Sequence, residues 1–105
     1  MRRRARNCRK PAKHHPLARS ELIASALFYE ERRRGLGERF LQAVEATEVR
    51  ICEHPLRGQP FEAGTRKQRV RKFPFAMIYK EYPGFIMIFA VAHFSRKPGY
   101  WLERL

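Results

Sequence analysis

The sequence predicts an α+β domain of two layers: an N-terminal helical hairpin packed on a three- to four-stranded antiparallel sheet, with a short C-terminal helix or turn. Three observations carry this prediction. Apolar residues recur at helical spacing from about residue 16 to residue 53, and the period changes to two from about residue 65. The turn sequence Tyr82-Pro83-Gly84-Phe85 then joins the two most apolar alternating segments. Two amphipathic helices followed by three consecutive strands bury their apolar surfaces most simply as one layer on another.

The first 13 residues read as a basic, flexible arm, and residues 14–105 as a single domain. Residues 1–19 hold eight Arg or Lys and no acid, a composition that stays solvated. Pro16 suits the first position of a helix. In "LARSELIASALFYEERRR", Leu22, Ile23, Ala26, Leu27 and Tyr29 share a face, and Phe28 and Tyr29 are assigned to the helix core. Gly35 suits a left-handed cap, so a second helix is predicted from Leu36 or Gly37 to about Glu53, with Phe40, Val44, Thr47 and Ile51 as its stripe. His54-Pro55 stops it. A connection this short makes the two helices an antiparallel hairpin.

Downstream, "TRKQRVRKF" alternates weakly and "PFAMIYKEY" strongly, while "GFIMIFAVAH" is apolar on both faces, as expected of a central strand covered on each side. Tyr79 reads as packing on the middle strand. The three strands form an antiparallel meander, and the C-terminal "KPGYWLERL" closes the domain as a short helix or turn.

Length and composition bound the function. At 105 residues with 44% hydrophobic content and thirteen aromatic residues, the chain is long enough for one core. Its net charge of +13 points to nucleic acid, acidic proteins or ribosomes. From Ser20 onward fifteen basic residues face ten acidic ones, all glutamates, so the folded part is mildly basic. Without a single aspartate, Asp-bearing metal loops and Asp-oriented triads are excluded. Cys8 and Cys52 sit far apart in unlike surroundings and read as reduced thiols. No apolar run is long enough for a membrane span, and "MRRRARNCRK" lacks the apolar region of a signal peptide. A cytoplasmic protein with no membrane contact, cofactor or metal is expected; His14-His15 with Cys8 matches no zinc spacing.

Two groups of residues could carry chemistry. Arg66, Lys67, Arg69, Arg71 and Lys72 form the densest charge cluster of the folded part, with no acid between Glu62 and Glu81. On a strand, Lys67, Arg69 and Arg71 share one face and Arg66, Gln68, Val70 and Lys72 the other. The cluster is either a solvated edge or a surface for phosphates or an acidic partner. The second group, His93, Arg96 and Tyr100, follows the last strand. A neutral imidazole could take a proton from a 2′-hydroxyl, Arg96 could neutralise phosphate charge, and Tyr100 could stack on a base. Alternatively, His93 hydrogen-bonds backbone at the strand end, and Tyr100 and Trp101 pack the C-terminal segment onto the sheet.

In order and spacing, "ELIASALFYEERRRGLGERFLQAVE", "HPLRGQPFEAGTRKQRVRKFPFAMIYK" and "IMIFAVAHFSRKPGYWLER" resemble the RelE/ParE superfamily of bacterial toxins from type II toxin-antitoxin modules. The match covers roughly His14 to the end, and its FYE, GLG and VAH-to-YW elements look closer to the ParE-like branch. The resemblance implies a growth-inhibiting toxin neutralised by a cognate antitoxin, whose acidic helix or extended segment would lie on the basic sheet face or the hairpin. A ParE-like toxin would bind DNA gyrase without performing chemistry. A RelE-like one would cleave messenger RNA in the ribosome, with Arg66, Arg69, Arg71 and Arg96 on phosphate, His93 moving the proton and Tyr100 stacking. In a third reading an inactive toxin fold binds operator DNA only together with its antitoxin. Where the family usually opens with an apolar strand, this chain reads "RKPAKHHP", so residues 10–14 are expected at the sheet margin if they pair at all.

Overall fold

A computed structural model describes residues 10–105; the expectation of a flexible arm, and Cys8 with it, falls largely outside the described residues. The elements run β1 (Ala12–His14), α1 (Pro16–Arg32), α2 (Leu36–Glu53), β2 (Gln59–Pro60), β3 (Arg66–Arg69), β4 (Phe75–Tyr82) and β5 (Phe85–His93), ending in a 3-10 turn over Leu102–Arg104.

His15 caps α1, its Nδ1 accepting from the Leu17 amide at 3.1 Å, and Pro16 fills the first helical position, where no amide proton is needed. Ala18, Leu22, Ala26 and Tyr29 face the core. Ile23 and Leu27, expected on that stripe, are 50% and 60% exposed, and Phe28, expected in the core, is 51% exposed. The inward positions advance by four, four and three residues, so Ile23 and Leu27 lie one residue, about 100° of helix, further round. This helix is apolar on more than one side, and spacing alone could not choose which side is buried.

The short link between the helices depends on two glycines. Gly35 has φ +87°, a conformation in which a Cβ would be strained. At Gly37 a Cβ would lie 2.6 Å from the Ala26 carbonyl, so only glycine lets α2 start this close to α1. Glu30 accepts from the amides of Gly35 at 2.9 Å and Gly37 at 3.0 Å, placing an anion at the positive end of α2. Phe40, Val44, Thr47 and Ile51 are all buried, as their spacing predicts, and the Thr47 hydroxyl donates to the Ala43 carbonyl.

The sheet has five strands in the order β1-β5-β4-β3-β2, where three or four antiparallel strands were expected. The extra strands are edge pieces of three and two residues, too short to show a period. β1 lies at the sheet margin, as its composition predicts, and it pairs with β5 in parallel, unlike the antiparallel remainder. Pro83 and Gly84 join β4 to β5, with φ +86° at Gly84 fitting the expected type II turn. Between Ile78 and Tyr79 the register shifts, so that Ile78 pairs with Ala90 and Tyr79 with Ile88, leaving Phe89 with no opposite residue.

β3 ends earlier than "TRKQRVRKF" implied. The Val70 amide donates to the Phe75 carbonyl, and Arg71 and Lys72 form a turn with φ +70° at Lys72. Arg71 therefore does not extend the face shared by Lys67 and Arg69. Both faces of β4 and β5 are covered, unequally. One packs Met77, Tyr79, Ile86 and Ile88 against the helices, with Tyr29, Phe40, Phe73 and Phe75 in edge or tilted aromatic contact. The other packs Ile78, Ala90 and Ala92 against Trp101. Tyr79 is a core residue, as its strand position predicts, with its hydroxyl donating to the Pro55 carbonyl at 2.6 Å.

Candidate functional site: two cationic hollows

β1 runs out at His14, and beyond it the edge of β5 from Phe89 to Val91 has no strand beside it. Two side chains take the place of one. Glu21 on α1 accepts from the Val91 amide at 3.1 Å, and Arg104 donates to the Phe89 carbonyl at 2.9 Å, in the register shift. The two side chains also bind each other in a fork, at 3.1 and 2.8 Å. Glu21 then accepts the Tyr100 hydroxyl at 2.7 Å. One glutamate thus ties α1, β5 and the C-terminal segment together. Burial first, then the bond to Glu21 and its charge, push the Tyr100 phenol well above its usual value.

Clamped this way, the C-terminal segment walls a hollow of about 410 Å³ on the helix-free face. Its floor is Ala76, Ile78 and Ala92, its walls include Phe61, Tyr100 and Trp101, and Lys67, Arg96 and Lys97 line it with positive charge. Phe61 meets Trp101 in a tilted contact with ring centroids 5.7 Å apart, and Lys67 lies 4.5 Å over the Phe61 ring.

His93, Arg96 and Tyr100 all line this hollow, but each already has a structural occupation. His93 Nδ1 accepts from the Ser95 amide at 2.9 Å and lies 2.7 Å from the Ser95 hydroxyl. A backbone amide can only donate, so the neutral ring carries its proton on Nε2, and its one lone pair is already engaged. The ring meets Phe75 edge-on at 5.0 Å. The Arg96 guanidinium lies 3.8 Å over the Tyr100 ring centroid, and that of Arg104 lies 5.0 Å from the same ring. Tyr100 thus has its hydroxyl on Glu21 and a face under a guanidinium.

The five residues of the basic run divide three ways. Arg66 donates to the carbonyls of Leu56 at 3.2 Å and Gly58 at 2.8 Å, pinning the segment after α2. Lys67 joins the hollow described above, and Arg69 lies 5.5 Å over Phe94 at its margin. Arg71 and Lys72, with Arg69, line a different hollow of about 490 Å³ completed by Gln68 and by Arg50 from α2. The paired histidines are likewise structural: His14 Nε2 meets Glu48 at 2.6 Å and His15 caps α1. Among the described residues no three His, Cys, Asp or Glu side chains are placed to share a metal ion, and no helix is long and apolar enough to cross a membrane.

Sequence reasoning did not single out Glu21 or Arg50. Glu21 left a trace, as the first acid in the chain and the only one before Glu30. Arg50 left none, since the residues that share its hollow lie far away in sequence.

Residues 13–98 match the family described as the ParE toxin of the type II toxin-antitoxin system, parDE. This chain belongs to the ParE toxin family. Among solved structures it is similar to one titled the chromosomal ParDE TA system from P. aeruginosa, with a TM-score of 0.62 and 21% identity over 80% of this chain and 95% of that one. That likeness concerns the fold. No curated protein matches. As a member of the ParE family, the chain is the toxin component of a type II module, with a cognate antitoxin as its partner.

Proposed function

We propose that this ParE-family toxin acts by binding DNA gyrase and not by cleaving RNA. The observation that carries this reading is the state of His93. A general base needs a free lone pair near the proton it removes, and the lone pair of neutral His93 accepts from Ser95. Tyr100 gives no substitute, because its raised pKa keeps the phenol protonated and its hydroxyl is bound to Glu21. What the helix-free hollow offers is a rigid surface with an apolar floor, aromatic walls and positive charge, which suits a protein segment with an apolar anchor and acidic neighbours. The test is a supercoiling assay with purified toxin and gyrase. Trapped cleaved DNA or loss of supercoiling is expected, while full supercoiling by active gyrase at saturating toxin overturns the reading.

The antitoxin is proposed to cover α1. Leu17, Ile23, Leu27 and Phe28 are each at least half exposed there. A groove of about 300 Å³ runs from Phe28 to Val91, with Arg96 and His93 also lining it. An acidic amphipathic segment has apolar anchors on the helix and a cation beside them. Leu27→Glu is expected to weaken antitoxin binding at least tenfold in a titration with the purified antitoxin; unchanged affinity removes α1 from the interface.

A further inference from the structure

The second hollow differs in kind from the first. Arg50, Gln68, Arg69, Arg71 and Lys72 line it, so that four cations and one amide share a single concavity with no carboxylate and no hydrophobic residue. Among the described residues no acidic group lies within ion-pairing distance of any of the four cations. One is brought in by the fold alone. Arg50 comes from the last turn of α2, held by a 3.2 Å bond to the Thr47 hydroxyl, and Arg71 sits in the turn that follows β3. Desolvation and the neighbouring Arg71 charge both lower the Arg50 pKa, as expected of like charges gathered without a counter-ion. The turn also holds Lys72 at φ +70°, a conformation glycine would adopt without strain.

We propose that this hollow is a phosphate-binding site that grips the backbone of a nucleic acid. Three guanidinium forks and an amide match phosphate oxygens, and arginine is favoured wherever such oxygens are bound in pairs. An acidic protein segment would need an apolar anchor as well, and this lining has none. Backbone phosphates need only charge and donors, without regard to base sequence. The site lies apart from the apolar-floored hollow, sharing only Arg69 at its margin, and it does not depend on gyrase being the target.

The test uses the full-length chain, a labelled duplex of random sequence, and affinity measured by anisotropy across a range of salt. Each phosphate contact contributes about 0.9 to the slope of log affinity against log salt on duplex DNA. Arg50→Gln/Arg71→Gln is therefore expected to flatten the slope by about 1.8. Arg33→Gln/Arg34→Gln, which removes the same charge from the exposed link between the helices, should leave it nearly unchanged. Arg71→Gln alone, an exposed turn substitution, should flatten it by about 0.9 and serves if the double variant is unstable. Equal flattening by both double variants overturns the proposal, because net charge alone would then explain binding. An unchanged slope in Arg50→Gln/Arg71→Gln also overturns it, even if inorganic phosphate shifts the amide resonances of Gln68 to Lys72, since that pattern marks a site for the free ion. A glutamate decamer losing as much affinity as the duplex does on the double substitution overturns it in favour of an acidic protein.

Discussion

The two faces of this sheet are closed by different physics. Against the helices, thirteen buried residues form one cluster among the described residues, with the Phe40, Phe73 and Phe75 rings meeting at about 5 Å. Burial area holds that face. On the other face the buried cluster is the smaller group of Ile78, Ala90, Ala92 and Trp101, and the segment that covers them is tethered by polar bonds radiating from Glu21. The first face is closed over its buried cluster by the helices. The second keeps an apolar floor partly uncovered and rims it with cations. A toxin needs a stable frame and an accessible surface, and here the sheet supplies one on each side.

The comparison can be broken most forcefully in the two cores. Phe40→Ala should cost about 3–5 kcal/mol of unfolding free energy in urea, with the whole domain destabilised. Trp101→Ala removes a residue just as buried, at 1% exposure, and should cost a similar ~3–5 kcal/mol. The difference is expected in native-state hydrogen exchange. Phe40→Ala should raise exchange throughout, whereas Trp101→Ala should release residues 95–105 before the helices. Uniform loss of protection in both would mean that the two faces form one cooperative unit.

Next in size is the tether. Glu21→Gln leaves Arg104, 9% exposed, without its charge partner, at a cost of about 3 kcal/mol. Faster exchange of the Val91 amide, which Glu21 accepts, should accompany it. A stability unchanged from the parent would show that the C-terminal segment is held by Trp101 packing alone.

Tyr100→Phe sharpens the same contrast through pH. Loss of the bond to the Glu21 carboxylate should cost about 1.5 kcal/mol at neutral pH. The native phenol is raised above the ordinary 10.0, so the unfolded chain ionises first, and the stability this group contributes is complete below pH 10 and lost as pH rises beyond it. The parent should therefore lose stability more steeply above pH 10 than Tyr100→Phe does. A smaller slope persists in the variant, because burial also raises Tyr29 and Tyr79. Identical alkaline slopes would exclude Tyr100 as a buried, Glu21-bound phenol.

The smallest effect is expected at His93. His93→Ala removes an edge contact with Phe75 and the Ser95 bonds, about 1 kcal/mol in all, and should weaken gyrase binding by no more than about tenfold. Cleavage of ribosome-bound messenger RNA by the parent that is lost in His93→Ala would favour the ribonuclease reading.

How much could be read in advance varies by element. The α2 stripe of Phe40, Val44, Thr47 and Ile51 was legible because a helix with one apolar side declares its buried face. On α1 the apolar residues spread around the helix, so Ile23, Leu27 and Phe28 looked like core and are surface. β1 and β2 were too short for any period to register. At the candidate site, Lys67, His93, Arg96 and Tyr100 were all nameable from charge and position, and they do share a hollow. Their occupations were not, because Ser95, Glu21 and Arg104 act through hydrogen bonds that leave no pattern in the chain.

Local sequence by itself determined the helical hairpin, its glycine link, the β4–β5 turn and the excess of positive charge, since each depends on residues a few positions apart. Tertiary structure alone decided which cations stand together. A run of five basic residues was parted by one early strand end and one turn, and Arg50, sixteen residues before Arg66, was carried into their company. Coulombic and hydrogen-bonding partners are chosen by distance in space, and the fold, not the order of residues, sets that distance.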